Sequence, residues 1–311
     1  MLRRLLAVLV SLAVLLILSP VVTDRAQAVV ETGVAATGET RLPAAVANQG
    51  LTLVGNGEPL LTRGHHSIPA QLRALGWVHI GDPDSARGLV LDAYQGSAGA
   101  TSKAFAVTYP DGARVLLVHP LAPGEQYNNS FVAISPNTRW FVAAEWGTVN
   151  RLLVFALPTK PPPTPMQTLP LAGVIHLRHP VRNVQGCDFS SPTRLLCSTN
   201  DTSTSLFPVT RQLLALHLKH PVHGGRATAS VRLVGSAPAQ DVCAGASGEV
   251  EGIDVTDGVV RVAVNSPCAP VTEVFSYPRT AQWRPADDID VRPVWTGAPP
   301  FVDVVVGRPW R

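Results

Sequence analysis

A hairpin pattern that occurs three times is the feature that most constrains how this chain folds. Each copy has two alternating apolar segments on either side of a short turn, and a further apolar segment follows it after a loop of variable length. Alternation with a period of two residues is typical of β-strands. The copies begin 55 and 66 residues apart. They span Ser130–Trp146, Gln185–Asp201 and Glu251–Ser266.

A weaker copy, Trp77–Gln95, precedes the first by a similar distance. Units of this kind cannot each bury both faces alone, which favours a ring of stacked blades. We therefore predict an all-β fold, a β-propeller of five or six blades over residues 76–311. The segment Phe301–Gly307 is a candidate to close the ring. A β-sandwich is the alternative fold.

Residues 29–75 lack the repeat pattern and are predicted to form an irregular lead-in. Gly55, Asn56 and Gly57 indicate one hairpin within it. One short helix is predicted near Ser67–Leu75, because Ser67 can cap it and Pro69 fits its first turn.

Residues 1–28 have the order of a secretory signal peptide. Met1–Arg4 is positively charged, Leu5–Val22 is apolar, and Ala26–Ala28 forms a small-residue cleavage site. We predict cleavage after Ala28 and an extracellular, secreted protein. The alternative is an uncleaved anchor in the plasma membrane, because the apolar run approaches the roughly 20 residues that span a bilayer.

Four cysteines in an exported chain predict disulfide bonds, and four cysteines allow three pairings. Cys187 and Cys197 lie at equal distances from the middle of the second hairpin's turn, so they face each other on neighbouring strands. Cys243 precedes the third hairpin and Cys268 follows it, so both lie at the same end of that hairpin. The favoured pairs are therefore Cys187–Cys197 and Cys243–Cys268.

The net charge argues against a polyanionic partner. It is formally +3, and it falls to about +1 once residues 1–28 are removed. Nucleic acid is not expected as a partner, because its binding proteins present strongly basic surfaces. We also expect no membrane contact after signal cleavage, and a monomer.

Polar residues recur at two positions of the hairpins, the start of the first strand and the end of the second. In a propeller the first strand lines the central channel, so these positions meet at one channel mouth. Oxygen ligands from several blades suit Ca²⁺. The alternative is that these side chains only satisfy backbone groups. The candidates are Ser130, Gln185 and Glu251 at strand starts, Glu145, Asn200 and Asn265 at strand ends, and the neighbouring Asn129 and Asp201.

Two tryptophans of the first hairpin receive different predictions. Trp140 lies on the second strand and is assigned to core packing between blades. Trp146 follows that strand in a loop, where its ring is a candidate to stack on a sugar or another flat ligand.

Two resemblances add to this interpretation. The segment Glu251–Asp254 resembles the Glu-Gly-Ile strand of calcium-binding gluconolactonase-type and phytase-like esterase propellers, which implies Ca²⁺ and ester or lactone hydrolysis. Asn128–Ser130, Glu145–Gly147, Gln185–Asp188 and Glu249–Asp254 make the stretch from residue 76 to 277 similar to uncharacterised secreted proteins of actinobacteria. The second resemblance implies export and a propeller, and implies no activity.

Three functions follow as hypotheses. The leading one is a secreted propeller that binds a small molecule, a glycan or a protein at the channel mouth, with no assigned reaction. The second is a calcium-assisted hydrolase of the esterase or lactonase type that uses Glu145 and Glu251 among its ligands. The third is a structural protein of the cell envelope.

Overall fold

The computed structural model describes residues 36–45, 47–55, 57–62, 68–238, 248–266 and 270–278, which all fall in one unit of the chain, Thr32–Arg311. Twenty strands and one five-residue helix make up the regular structure of these residues. The predicted all-β class is confirmed. The predicted signal peptide, the segment Phe301–Gly307 and the pair Cys243 and Cys268 lie outside the described residues.

Five short strands pack around a central axis. They are β2 (Gly50–Leu53), β5 (Asp84–Ala86), β9 (Val132–Ile134), β14 (Val184–Ser191) and β18 (Glu249–Thr256). Each strand contacts the next in this order, and β18 contacts β2, so the ring is closed. Each is the inner strand of a blade, numbered 1 to 5 in chain order. The predicted propeller is confirmed, with five blades in the described part of the chain.

Blades 2 to 4 continue outward as antiparallel strands, except that the outermost strand of blade 2 pairs parallel with its neighbour. A parallel pairing between the outer strands of blades 3 and 4 joins these two blades into one eight-stranded sheet. The strands are β4 (Trp77–Ile80), β6 (Leu89–Gly96), β7 (Ser102–Thr108), β8 (Arg114–Pro120) and β12 (Met166–Thr168) in blade 2, β10 (Trp140–Ala143), β11 (Thr148–Ala156) and β13 (Gly173–Arg182) in blade 3, and β15 (Arg194–Thr199), β16 (Gln212–Leu218) and β17 (Gly225–Ser236) in blade 4.

Blade 5 is completed by the beginning of the chain. Its strands β19 (Val259–Asn265) and β20 (Val271–Pro278) are followed by β1 (Gly38–Pro43), which pairs antiparallel with β20. In the described residues, blade 1 consists of β2 and β3 (Pro59–Thr62), a hairpin at the predicted place. Three strands therefore lie within the stretch predicted as an irregular lead-in.

The hydrophobic core forms five clusters: four join two neighbouring blades, and the fifth packs blade 2 against the region of α1. Successive side chains of β10 point to opposite faces of the strand and so belong to two different clusters. Phe141 and Ala143 face the cluster shared with blade 2, whereas Val142 faces the cluster shared with blade 4. Trp140 packs against the second of these clusters, as predicted.

The single helix, α1 (Ala70–Ala74), lies inside its predicted range and follows Pro69. It covers part of blade 2, because Ile68 and Leu72 pack against Trp77 and its neighbours. No helix among the described residues has the length and apolar character needed to span a bilayer.

The predicted disulfide between Cys187 and Cys197 is confirmed. The two cysteines are directly opposite each other on β14 and β15, and both are buried.

Candidate functional site

Each blade places one residue just before or near the start of its inner strand. We call these five residues the mouth ring: Gln49, Gly81, Ser130, Gln185 and Glu251. Blades 1 and 5 meet where Gln49 Nε2 donates a 2.9 Å hydrogen bond to Glu251 Oε2. Blades 2 and 3 meet where Gly81 lies directly against the Ser130 carbonyl. The hairpin repeats predict three members of the ring, and the structure adds Gln49 and Gly81.

The channel below the mouth ring is closed by one side chain, Asp82. Gly50, Gly186 and Gly252 come from three other blades, and a Cβ atom on any of them would overlap the Asp82 carboxyl group. Glycine is required at these positions because the backbones approach one another so closely. The Asp82 side chain therefore fills the axis next to the mouth ring.

Backbone N–H groups of two other blades hold Asp82 in place. Leu51 N donates to Oδ1 at 3.0 Å, and Ile253 N donates to Oδ2 at 3.1 Å. Burial raises the pKa of Asp82 well above its usual range, and the nearby Asp188 and Asp254 carboxylates raise it further. The two backbone hydrogen bonds act in the opposite direction.

A second set of aspartates joins three pairs of neighbouring blades below Asp82. Asp84 Oδ2 accepts a hydrogen bond from Ile134 N at 2.5 Å, and Asp188 Oδ2 accepts one from Val255 N at 2.6 Å. Asp254 Oδ1 accepts one from Leu53 N at 3.0 Å. Each bond runs from one inner strand to the following one.

We call Asp84, Asp188 and Asp254 the aspartate belt. They occupy equivalent positions in blades 2, 4 and 5, and Ala133 takes this position in blade 3. Burial raises the pKa of Asp84 and of Asp188 well above the usual range. Asp188 and Asp254 both join neighbouring blades.

Glu251 is buried within a set of amide groups. Its Oε2 accepts from Gln49, and its Oε1 accepts from Asn265 Nδ2 at 3.1 Å. Burial raises the pKa of Glu251 well above its usual range, the carboxylates of Glu249 and Asp82 raise it further, and the bond from Asn265 lowers it. The structure thus brings together two of the predicted residues, Glu251 and Asn265.

Glu145 is held by a different partner. Arg151 Nε and Nη2 donate to its two carboxylate oxygens at 2.9 and 3.0 Å, and Gln126 N donates to Oε1 at 2.7 Å. Trp146, the next residue, is half-buried and donates from its backbone N–H to Asn128 Oδ1 at 3.1 Å. Glu145 and Glu251 are therefore bound by separate partners.

The remaining predicted residues of blade 4 also have specific contacts. Asn200 Oδ1 accepts from Val250 N at 3.2 Å, and Asn200 Nδ2 donates to Glu249 Oε1 at 3.1 Å, which ties blade 4 to blade 5. Asp201 Oδ1 accepts from Ser203 N at 2.9 Å and lies 3.5 Å from Arg182 Nη1. Asp201 therefore stabilises its own loop.

Some buried polar atoms near the mouth ring have no hydrogen-bond partner within the described residues. They are Asn48 Oδ1, Asn129 Oδ1 and Ser130 Oγ. The rest of Asn129 is well bound, because its Nδ2 donates to the carbonyls of Tyr94 and Ala104 at 3.4 and 3.3 Å. Buried polar atoms nearly always have a partner, so these three atoms are exceptions among the described residues.

A buried charge cluster in blade 2 was not predicted from the sequence. Lys103 Nζ lies 3.0 Å from Glu125 Oε1, and Glu125 Oε2 lies 3.0 Å from His119 Nε2. Burial alone would raise the pKa of Glu125, but His119, Lys103 and the backbone N–H of Ala122 together lower it to about 2. Burial lowers the pKa of Lys103, and Glu125 opposes this effect.

The described residues contain no group of three or more His, Cys, Asp or Glu side chains placed to hold a metal ion. The belt carboxylates and Asp82 instead accept hydrogen bonds from backbone N–H groups, and Glu145 pairs with Arg151.

Comparisons with known proteins found similar solved structures but no matching family. No protein-family model matches the chain, and no curated protein matches it. The Cps50 (Swd1) β-propeller domain of Myceliophteria thermophila is similar at 11% identity and a TM-score of 0.31, over 60% of this chain and 49% of that one. The β-propeller domain of the Trilobed protease from Pyrococcus furiosus is similar at 9% identity and a TM-score of 0.26, over 64% and 84%.

The Mala s 1 allergen of Malassezia sympodialis is similar at 9% identity and a TM-score of 0.38, over 65% of this chain and 56% of that one. The chain thus spans about half the length of the Cps50 and Mala s 1 chains. Because every one of these TM-scores is below 0.5, the assignment of a propeller rests on the closed ring of five inner strands.

A sequence signal for the aspartate belt does exist. Gly-x-Asp occurs at the same place in two of the aligned hairpins, as Gly186–Asp188 and Gly252–Asp254. The glycine makes room for Asp82, and the aspartate binds the next blade. Asp82 itself has no counterpart in the repeats, because the inner strand of blade 2 is interrupted between β4 and β5.

Proposed function

We propose that this protein is an exported propeller that binds a polar small molecule, a glycan or a protein segment at the mouth ring, without chemical turnover. One observation carries the proposal: the buried Asn129 Oδ1 and Ser130 Oγ have no hydrogen-bond partner within the described residues. A ligand that donates hydrogen bonds there would satisfy both atoms.

The surroundings of these atoms support a polar ligand. Gln185 belongs to the same ring and offers both a donor and an acceptor, and the half-buried Trp146 lies on the neighbouring loop of blade 3. Export is supported by the signal-like residues 1–28 and by the Cys187–Cys197 disulfide, because disulfides persist in oxidising compartments.

Arrays test the proposal directly. The protein comprising residues 29–311 is applied to a glycan array and to an array of secreted proteins. We expect saturable binding to at least one component, weakened about tenfold or more in Gln185→Ala, since removing a direct hydrogen bond costs about 1.4 kcal/mol or more. Arg226→Ala, an exposed change on the outer strand β17, is the matched control. An absence of saturable binding on both arrays, or equal weakening in the control, contradicts the proposal.

The hydrolase hypothesis makes a separate prediction about calcium. A ligand that binds only the native state raises Tm. Because Glu145 is engaged by Arg151, and Glu251 by Gln49 and Asn265, we expect the same Tm in millimolar calcium and in chelator. A calcium-dependent rise in Tm that Glu251→Gln removes would support the hydrolase instead.

A further inference from the structure

A cleft of about 440 Å³ lies between the hairpin of blade 1 and the face of blade 2, away from the mouth ring. One wall is formed by Leu60 and Leu61 of β3, and the other by Ile80 and Val90 of blade 2. Volumes of about 300–1,000 Å³ with mostly apolar walls are typical of small-molecule sites.

The cleft lies beside blade 1, the blade with the fewest described strands. Blades 2 to 5 each have at least four strands, whereas blade 1 contributes only β2 and β3 within the described residues. The face of blade 2 that looks towards blade 1 is therefore covered in part by α1, through Ile68 and Leu72. The cleft is lined by the hairpin and by the face of blade 2.

Three polar side chains are clustered on the blade 2 side of the cleft. Arg114 Nη2 donates to Asp92 Oδ2 and to Tyr94 Oη, both at 2.8 Å, and Tyr94 Oη donates to Asp92 Oδ2 at 3.2 Å. Tyr94 is fully buried, the Asp92 side chain is 11% exposed, and the Arg114 side chain is 40% exposed. The exposed part of Arg114 thus faces a cleft whose other lining residues include the aliphatic Leu60 and Val90 and the hydroxyl-bearing Thr62 and Thr108.

The hydrogen bonds of Arg114 leave part of its guanidinium free. Within the described residues both of its bonds come from Nη2, so its Nε and Nη1 donors are available. Both paired forks of a guanidinium include Nη2, which Asp92 and Tyr94 already occupy, so a carboxylate would bind through the two N–H donors of Nη1. Arg114 is the only basic side chain among the described residues that line the cleft, so a ligand with several negative charges would bury some of them without partners.

We propose that this cleft binds a small carboxylic acid with an apolar body, the carboxylate on Arg114 and the apolar body between β3 and blade 2. Asp92 does not exclude such an anion. Burial raises the pKa of Asp92, and Arg114 lowers it by less, so protonation of Asp92 can accompany binding.

Calorimetric titration of residues 29–311 with three matched ligands tests this site. The ligands are 3-phenylpropionate, 3-phenylpropanol and 3-phenylpropylamine, which share one apolar body and differ in the polar group. We expect the acid to bind at least tenfold more tightly than the alcohol or the amine. Equal affinities for the three ligands, or preference for the amine, would overturn the proposal with no variant required.

Two variants locate the site. Arg114→Met should abolish the preference for the acid. Leu60→Asp should weaken binding of the acid at least tenfold, because it places a like charge in the apolar wall. Arg226→Met, an exposed arginine on β17, should leave all three affinities unchanged. A preference for the acid that survives Arg114→Met would place the carboxylate elsewhere and overturn the assignment. These outcomes are independent of binding at the mouth ring, which the arrays test.

Discussion

At the scale of single residues, Asp82 determines what the centre of this propeller can do. Three glycines from other blades leave room for its carboxyl group, and two backbone N–H groups bind it. A small molecule cannot pass along the axis at this level, because the side chain and the three backbones fill it. Binding from the mouth side is therefore restricted to the rim.

The glycines around Asp82 should be intolerant of any side chain. Gly252→Ala places a methyl group on the Asp82 carboxyl and close to Gly50 Cα, and overpacking of this kind costs about 1–3 kcal/mol. We expect that loss in the free energy of unfolding, measured with urea. Gly55→Ala is the control, because a Cβ there meets nothing within 4 Å. If both variants lose the same stability, the close approach at Asp82 is not the cause.

Glu251 should make stability depend on pH. A carboxyl whose pKa is higher in the folded than in the unfolded protein lowers stability as pH rises above its unfolded pKa of about 4.3. Because burial raises the pKa of Glu251, Glu251→Gln should be more stable than the wild type at pH 8. The gain is about 1.4 kcal/mol for each pKa unit, and it should shrink towards pH 4.

Urea unfolding of the two proteins at pH 4, 6 and 8 measures this difference. Asp257→Asn is the matched control, because Asp257 is exposed in the turn that follows the same strand. A stability difference that stays constant with pH would show that Glu251 does not change its protonation on unfolding.

At the scale of elements, the sequence predicts best where hairpins have equal lengths. Blades 3 to 5 begin with hairpins that align almost without gaps. The alignment therefore places Ser130, Gln185 and Glu251 at one equivalent position. The hairpin of blade 1 is shorter, and the inner strand of blade 2 is divided into β4 and β5, so Gln49 and Asp82 are missed. The pairing of β1 with β20 joins residues at opposite ends of the chain, such as Gly38 and Ser276, and local patterns carry no sign of it.

The buried ion cluster joins strands β7 and β8 to the loop that follows them. Lys103→Met should cost about 3–5 kcal/mol of unfolding free energy, because it leaves the buried Glu125 without its cation. The double variant Lys103→Met/Glu125→Leu removes both charges and should be more stable than either single variant. A double variant whose loss equals the sum of the two single losses would contradict this coupling.

The same cluster should contribute to acid sensitivity. The pKa of Glu125 is lowered to about 2, so the stability it contributes is present above about pH 4.3 and is lost as pH falls towards 2. Urea unfolding between pH 2 and 5 should show a weaker pH dependence in Glu125→Gln than in the wild type.

At the scale of the whole molecule, the ring is closed by a strand from near the N-terminus. β1 covers the edge of β20 through six paired residues, and Arg41 Nη2 lies 3.3 Å from the buried Glu273 carboxylate. Leu42 also packs against the cluster that joins blades 5 and 1. The stability of blade 5 therefore depends on residues that the sequence assigns to a lead-in.

Removal of β1 should weaken the whole fold. A protein of residues 46–311 should melt about 10 °C below one of residues 36–311, which corresponds to roughly 3–5 kcal/mol for a domain of this size. Differential scanning calorimetry measures both. Equal Tm values would show that the ring is stable without this closure.

The parallel pairing of β13 with β17 has a consequence for how this propeller can be rearranged. Blades are often regarded as exchangeable modules, but here five residue pairs, from Gly173 with Gly225 to Leu177 with Ala229, join two of them at the outer edge. Blades 3 and 4 therefore form one double module. Recombination or grafting in this scaffold should exchange that pair together and place its crossovers on either side of it, because a junction at Asn183 would divide a continuous sheet.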